Sequence, residues 1–191
     1  MKLQIATYDD IDAILTLHFK YQIDSISEED KKDGFVTTPF TKKQLHALIE
    51  KEQGIFIAKE GSEVLAYVMS ASWQFWETWP IFAHMLTELP HLSYHGVQLT
   101  PFNSYQYGPV CVDKCLRGKG ILGELFEFAR THMVKRYPIL VTFINKINHR
   151  SFAAHTKKLG LEVIHEFTFN NNHYYELVYD MSKPLITKEL A

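Results

Sequence analysis

Arg117-Gly118-Lys119-Gly120, with Gly123 three residues on, is the stretch whose residue types most directly imply chemistry. An apolar run, Tyr107 to Val112, precedes it and reads as a buried strand. After it, Leu122, Leu125, Phe126, Ala129 and Met133 recur at helical spacing, with Glu124, Glu127, Arg130 and Lys135 between them. A strand that breaks into a glycine turn and opens a helix can hold an anion. The first N–H groups of a helix have no intrahelical partner, and the helix dipole makes that end partly positive. Glycine lets a phosphate approach the main chain, because no Cβ intervenes. Arg117 and Lys119 add charge, which suits a diphosphate. The plainer reading is a tight turn with glycine for space.

Three phosphate ligands compete. A nucleotide P-loop needs Ser or Thr after Gly-Lys to hold magnesium, and here Gly120 follows Lys119. A dinucleotide fingerprint is literally present as Gly118, Gly120 and Gly123. It calls for an acid closing the next strand to bind ribose. That strand, Ile139 to Ile144, ends in Asn145-Lys146. The third ligand is coenzyme A. Cys115-Leu116-Arg117-Gly118-Lys119-Gly120 resembles motif A of the GNAT (GCN5-related) acyltransferase superfamily, Gln/Arg-x-x-Gly-x-Gly/Ala. Both glycines match, and Cys115 departs from the first position. Asn148-His149-Arg150-Ser151-Phe152-Ala153-Ala154-His155 resembles motif B, and Lys158-Leu159-Gly160-Leu161 resembles the family's Lys-Leu-Gly-Phe, one residue further from His155 than usual. The resemblance spans roughly residues 1–179, and its specific part is 107–161.

That resemblance implies an α/β fold, a three-layer α/β/α sandwich with a mixed, mostly antiparallel sheet splayed at its centre. It implies acetyl-CoA as co-substrate. Main chain of Val110, Cys111 and Val112 would pair with the pantetheine arm. Arg117, Gly118, Lys119, Gly120, Ile121, Leu122 and Gly123 would hold the diphosphate. Asn148 would bond the arm or order its own turn, and Ser151 belongs to the same site. His155 would protonate the departing thiolate as an imidazolium. Glu77, His84, Tyr105, Tyr107 and a water chain stay open as the base. The activity implied is direct N-acetylation of a small-molecule or peptide amine. The alternative is a non-catalytic coenzyme A-binding module of the same fold.

Composition bounds these readings. The chain has 191 residues and a formal net charge of −2, which fits one domain and gives no electrostatic case for nucleic acid. Cys111 and Cys115 suggest no disulfide framework and fit a cytoplasmic protein. Cys111 has no base beside it in sequence and reads as a buried thiol. The start carries acids by Asp9 and no apolar core, unlike a signal peptide, and no apolar run approaches a membrane span. His91 and His95 lie in a Pro- and Ser-containing stretch, so no metal is expected.

The elements that must position the site follow in order. Leu3 to Thr7 reads as a strand. Asp9 caps a helix that buries Ile11, Ile14, Leu15, His18 and Phe19. Residues 25–34 read as a polar loop, and Phe35 to Phe40 as an extended segment against the acceptor cleft. Thr41-x-x-Gln44 is a capping box opening a second helix. A hairpin turns at Glu60-Gly61-Ser62. Residues 73–100 are an aromatic insert, with Pro80 opening a helix. It could form a substrate wall, a homodimer contact or a satellite core. Strand, helix ended by Gly160, and a final hairpin turning at Asn170-Asn171-Asn172 complete the chain.

Overall fold

The computed structural model describes residues 1–185, so residues 186–191 of the expected single domain lie outside the described residues. The strands and helices run β1 Lys2–Ile5, α1 Ile11–Lys20, α2 Glu28–Lys31, α3 Lys42–Glu52, β2 Ile55–Glu60, β3 Glu63–Ala71, α4 Trp73–Trp76 and α5 Pro80–Glu88. They continue with β4 Ser93–Tyr94, β5 Val97–Gln98, β6 Ser104–Val112, α6 Ile121–Met133, β7 Ile139–Asn145, α7 His149–Ala153, β8 Glu162–Phe169 and β9 Asn172–Asp180. A π-helical turn, Ala154–Lys158, extends α7.

Seven strands form one sheet in the order β1-β2-β3-β6-β7-β9-β8. Every neighbouring pair is antiparallel except β6 and β7. Side chains alternate across the sheet, so each central strand feeds two cores. Tyr67 and Met69 of β3 join one core with Leu45 and Leu48 of α3; Ala66 and Val68 join the other with Leu125 and Phe126 of α6. This is the three-layer sandwich expected.

Local chemistry sets the boundaries. Thr41 Oγ1 accepts from the Gln44 N–H at 3.2 Å, and Gln44 Oε1 accepts from the Thr41 N–H at 2.9 Å, closing the expected capping box. α3 ends at Gln53 in the left-handed region, and Gly54 follows. A Cβ at Gly54 would lie 1.8 Å from the Ser70 carbonyl oxygen, so no other residue fits this crossing. Asp9 does not cap α1. Asp10 is the buried acid there, accepting from the Thr7 N–H at 2.9 Å and from Lys59. On α1, Leu17 is buried and Phe19 is 44% exposed, because the stripe turns about the helix toward Leu17 and away from Phe19.

The insert is mostly core. Trp73 and Trp76 are buried, with Trp73 Nε1 donating to Ser104 Oγ at 3.0 Å and Trp76 Nε1 to the Gln106 carbonyl at 3.3 Å. The insert also holds the β4–β5 hairpin, turned by His95 and Gly96 at positive φ, where the sequence reads as loop.

At the centre the sheet opens. β6 and β7 pair only from Ser104–Ile139 to Gln106–Val141, although β6 runs on to Val112 and β7 to Asn145. A bulge sits at the opening. From Val68 to Ser70, β3 advances two residues while β6 advances three, from Val110 to Tyr107. The extra residue falls at Gly108-Pro109, where Gly108 has φ +107° and Pro109 has no N–H to pair.

Candidate active site

The opening is a cleft of about 610 Å³, part of it open to solvent. Its β6 wall is Gln106, Tyr107, Gly108, Pro109 and Val110; its β7 wall runs from Thr142 to Asn145. Asn148, Ser151 and His155 complete the lining together with Phe35 to Thr38, Phe82 and Tyr174. The expected place of Phe35 to Thr38 against the cleft is therefore what the fold produces. Thr142 Oγ1 donates to the Tyr107 carbonyl at 2.6 Å, and Gln106 Nε2 donates to the same oxygen at 2.9 Å. These side chains satisfy the carbonyl where the β6–β7 ladder stops. Beyond it, one edge of β6 carries no strand.

The glycine turn lies past the end of β6. Gly118 and Gly120 have φ +83° and +84°, and Gly120 precedes the first residue of α6. A Cβ at Gly118 would meet nothing within 4 Å; one at Gly120 would meet only Glu124 Oε1, at 3.8 Å. Among the described residues, the N–H groups of Gly118, Gly120, Ile121 and Leu122 donate to no protein group. Those of Lys119 and Gly123 do, to the Leu116 and Gly120 carbonyls at 3.2 and 2.9 Å. The cradle is thus four amides rather than the whole stretch, and it fits an anion by charge and by open space.

Arg117 turns inward. Its Nε donates to the Val112 carbonyl at 2.9 Å, a terminal nitrogen donates to the Asp33 carbonyl at 2.6 Å, and the guanidinium lies 4.8 Å from the Tyr21 ring centroid. Lys114 pairs with Asp30 and Asp33 at 2.9 and 3.2 Å. The acidic segment around α2 therefore rests on the cationic side of the turn. Lys119 is exposed.

Asn148 is buried and caps α7. Its Oδ1 accepts from the Ser151 N–H at 3.2 Å and its Nδ2 donates to the Phe35 carbonyl at 3.1 Å. It orders its own turn and ties the Phe35 segment to it. The residue extra to the motif after His155 is absorbed by the π-helical turn, where the Leu159 N–H reaches the Ala154 carbonyl at 3.2 Å. His155 consequently stays buried in the cleft wall, with Nδ1 donating to the Ser151 carbonyl at 2.8 Å. A carbonyl only accepts, so Nδ1 carries the proton and Nε2 does not. Burial lowers the His155 pKa, outweighing that hydrogen bond. Burial thus works against the imidazolium that the resemblance implies.

Val110 lines the cleft, whereas the side chain of Cys111 points into the core beside Tyr67, where burial pushes its thiol up to about 12. Cys111 and Cys115 are both free thiols. Of the candidate bases, Tyr107 lines the cleft, buried, with its hydroxyl unpartnered; Tyr105 is buried against Met181. The His84 ring lies tilted against Phe167 and Phe169, 5.6 Å from each, and neither it nor Glu77 lines the cleft. Sequence reasoning missed Gln106 and Thr142. For Thr142 the signal was present, a polar residue inside the run Ile139 to Ile144; Gln106 lies just before the run Tyr107 to Val112.

No protein-family model and no curated protein matches the sequence. Solved structures do. An N-acetyltransferase from Staphylococcus aureus Mu50 is 19% identical, covering 94% of this chain and 98% of its own, with a TM-score of 0.60. The protein yncA from Salmonella typhimurium, solved with its cofactor acetyl-CoA, is 14% identical, covering 100% and 96%, with a TM-score of 0.61. The protein smu.2055 from Streptococcus mutans UA159 is 18% identical, covering 95% and 99%, with a TM-score of 0.63. Likeness at this identity is likeness of fold: the chain has the acyl-CoA N-acyltransferase fold of these structures.

Proposed function

We propose, from that fold and this cleft, that the chain is an acetyl-CoA-dependent N-acetyltransferase acting directly on an amine of a small molecule or peptide. One observation carries the reading. The unpaired edge of β6 leads, within twelve residues of Val110, to four free amides at the mouth of α6. That is the layout a long thiol with a diphosphate at its far end requires.

Acetyl-CoA would supply a thioester whose carbonyl carbon an amine can attack. The amides of Gly118, Gly120, Ile121 and Leu122 would hold its diphosphate, with Lys119 adding charge from solvent. Main chain of Val110, Cys111 and Val112 would pair with the arm, and an amide on that edge would polarise the carbonyl. Asn148 keeps the Phe35 segment closed over the cleft, and Ser151 holds His155 in place. The sulfur needs a proton. His155 carries one on Nδ1, and Tyr107 one on an unpartnered hydroxyl; their rings meet edge to face at 5.9 Å. We assign the donor role to this pair. A cytoplasmic location goes with acetyl-CoA chemistry and is part of the same proposal.

The second reading, a coenzyme A-binding module without turnover, is favoured by one observation: the His155 Nδ1 proton is already committed to the Ser151 carbonyl. Calorimetry with coenzyme A and thiol release from acetyl-CoA across amines separate the two. The enzyme reading predicts binding and turnover, the module binding alone. Gly120→Glu should abolish binding while the protein still melts cooperatively, since the positive φ costs only ~1–2 kcal/mol. Retained affinity in Gly120→Glu would contradict the cradle.

A further inference from the structure

The acceptor half of the cleft has an unusual inventory. Among the described residues, its walls include no Asp, Glu, Lys or Arg. Rings dominate the side away from α7: Phe82, Phe143 and Tyr174, with Phe143 meeting Phe82 at 5.6 Å and Tyr174 at 5.4 Å between centroids. Two residues of the lining carry a buried polar atom without a partner: the Tyr107 hydroxyl, in the core on the α6 side, and Gln106 Oε1. The identity of the Gln106 atom as oxygen follows from the other end of the amide. Gln106 Nε2 is 2.9 Å from the Tyr107 carbonyl, which can only accept, so the nitrogen belongs there and the oxygen opposite. Gln106 is 1% exposed, and its main chain is fixed by Trp76.

A buried acceptor with no donor is costly, and a site built to receive an N–H explains it. An ammonium group is a poor occupant. It would leave water for a cleft with no opposing charge. Glu176 does not alter this. It is buried on β9 opposite Phe143, takes His165 Nδ1 at 3.2 Å and is not a wall of the cleft.

We infer that the acceptor is an amine already neutral at physiological pH and carried on an aromatic body, an arylamine, whose N–H is received by Gln106 Oε1 between the Phe82, Phe143 and Tyr174 rings. The inference rests on the acetyltransferase reading above. The chemistry balances without an acid or base from solution. The amine nitrogen forms a bond to the acetyl carbon, the carbon–sulfur bond breaks, and the proton lost by nitrogen ends on the sulfur. Products are the N-acetylarylamine and free coenzyme A. This also explains why a cleft with no carboxylate, where burial works against a charged His155, suffices. Gln106 positions and recognises the nitrogen.

The test compares p-toluidine with benzylamine, which have the same heavy atoms but are neutral and cationic, respectively, at pH 7.5. Thiol release from acetyl-CoA is read on the unmodified protein, with coenzyme A affinity measured separately by calorimetry. The expected result is kcat/KM at least tenfold higher for p-toluidine. Gln106→Leu should then raise KM for p-toluidine about tenfold, with coenzyme A affinity unchanged. Equal or better use of benzylamine overturns the arylamine assignment, as does binding of coenzyme A without turnover of either amine; both leave the coenzyme A site standing. Absence of coenzyme A binding removes the acetyltransferase reading, and the assignment falls with it.

Discussion

His155 shows how much one residue's surroundings decide. The resemblance to motif B implies an acid there, yet burial disfavours the charged ring and the Ser151 carbonyl takes the Nδ1 proton. The sign is definite: burial lowers the pKa, so the charged form appears only on acidification below the ordinary histidine range. Turnover between pH 7 and 8 should therefore show no ionisation that His155→Phe removes. The same variant should lower kcat more than it weakens acetyl-CoA binding. A limb above pH 6.5 that disappears in His155→Phe would restore the imidazolium. The residues that chemistry marks directly, Gly118, Gly120 and Asn148, were legible in the sequence because turns and caps are local. Gln106 and Thr142 were not. Thr142 sits inside an apolar run and Gln106 at the edge of one, and their roles arise only where the β6–β7 ladder fails, a non-local event.

At the scale of elements, two contacts place the cleft. Asn148 joins the start of α7 to the Phe35 segment, so Asn148→Ala removes a cap and a tether together. It should cost ~1–2 kcal/mol by denaturant melts, with faster amide exchange at residues 35–38. Unchanged exchange there would mean that the segment is held by other contacts. Gly54 is the tighter constraint. Gly54→Ala places a methyl 1.8 Å from the Ser70 oxygen. At least ~2 kcal/mol should be lost, and a melting temperature equal to that of the unchanged protein would contradict the crossing described. Element order was readable from periodicity and turn residues. The π-helical turn and the β4–β5 hairpin were not. The first looks like a plain helix with one residue too many, and the second is too short to show a period.

For the molecule as a whole, burial couples stability to pH through Glu176. Burial raises its pKa to about 7 against the opposing pull of His165. A carboxyl raised on folding contributes stability that is fully present below its unfolded value and is lost as pH rises through 7. Glu176→Gln, uncharged throughout, should gain on the unchanged protein between pH 5 and pH 8, by ~1–3 kcal/mol. Thermal melts at the two pH values check this, and a constant difference would contradict it. The splayed sheet is the larger claim, since every functional statement depends on what enters between β6 and β7. A crystal structure of the protein bound to coenzyme A tests it most directly. The account predicts the diphosphate on the amides of Gly118, Gly120, Ile121 and Leu122 and the arm along the unpaired edge of β6. A diphosphate seated anywhere else on the molecule would contradict it.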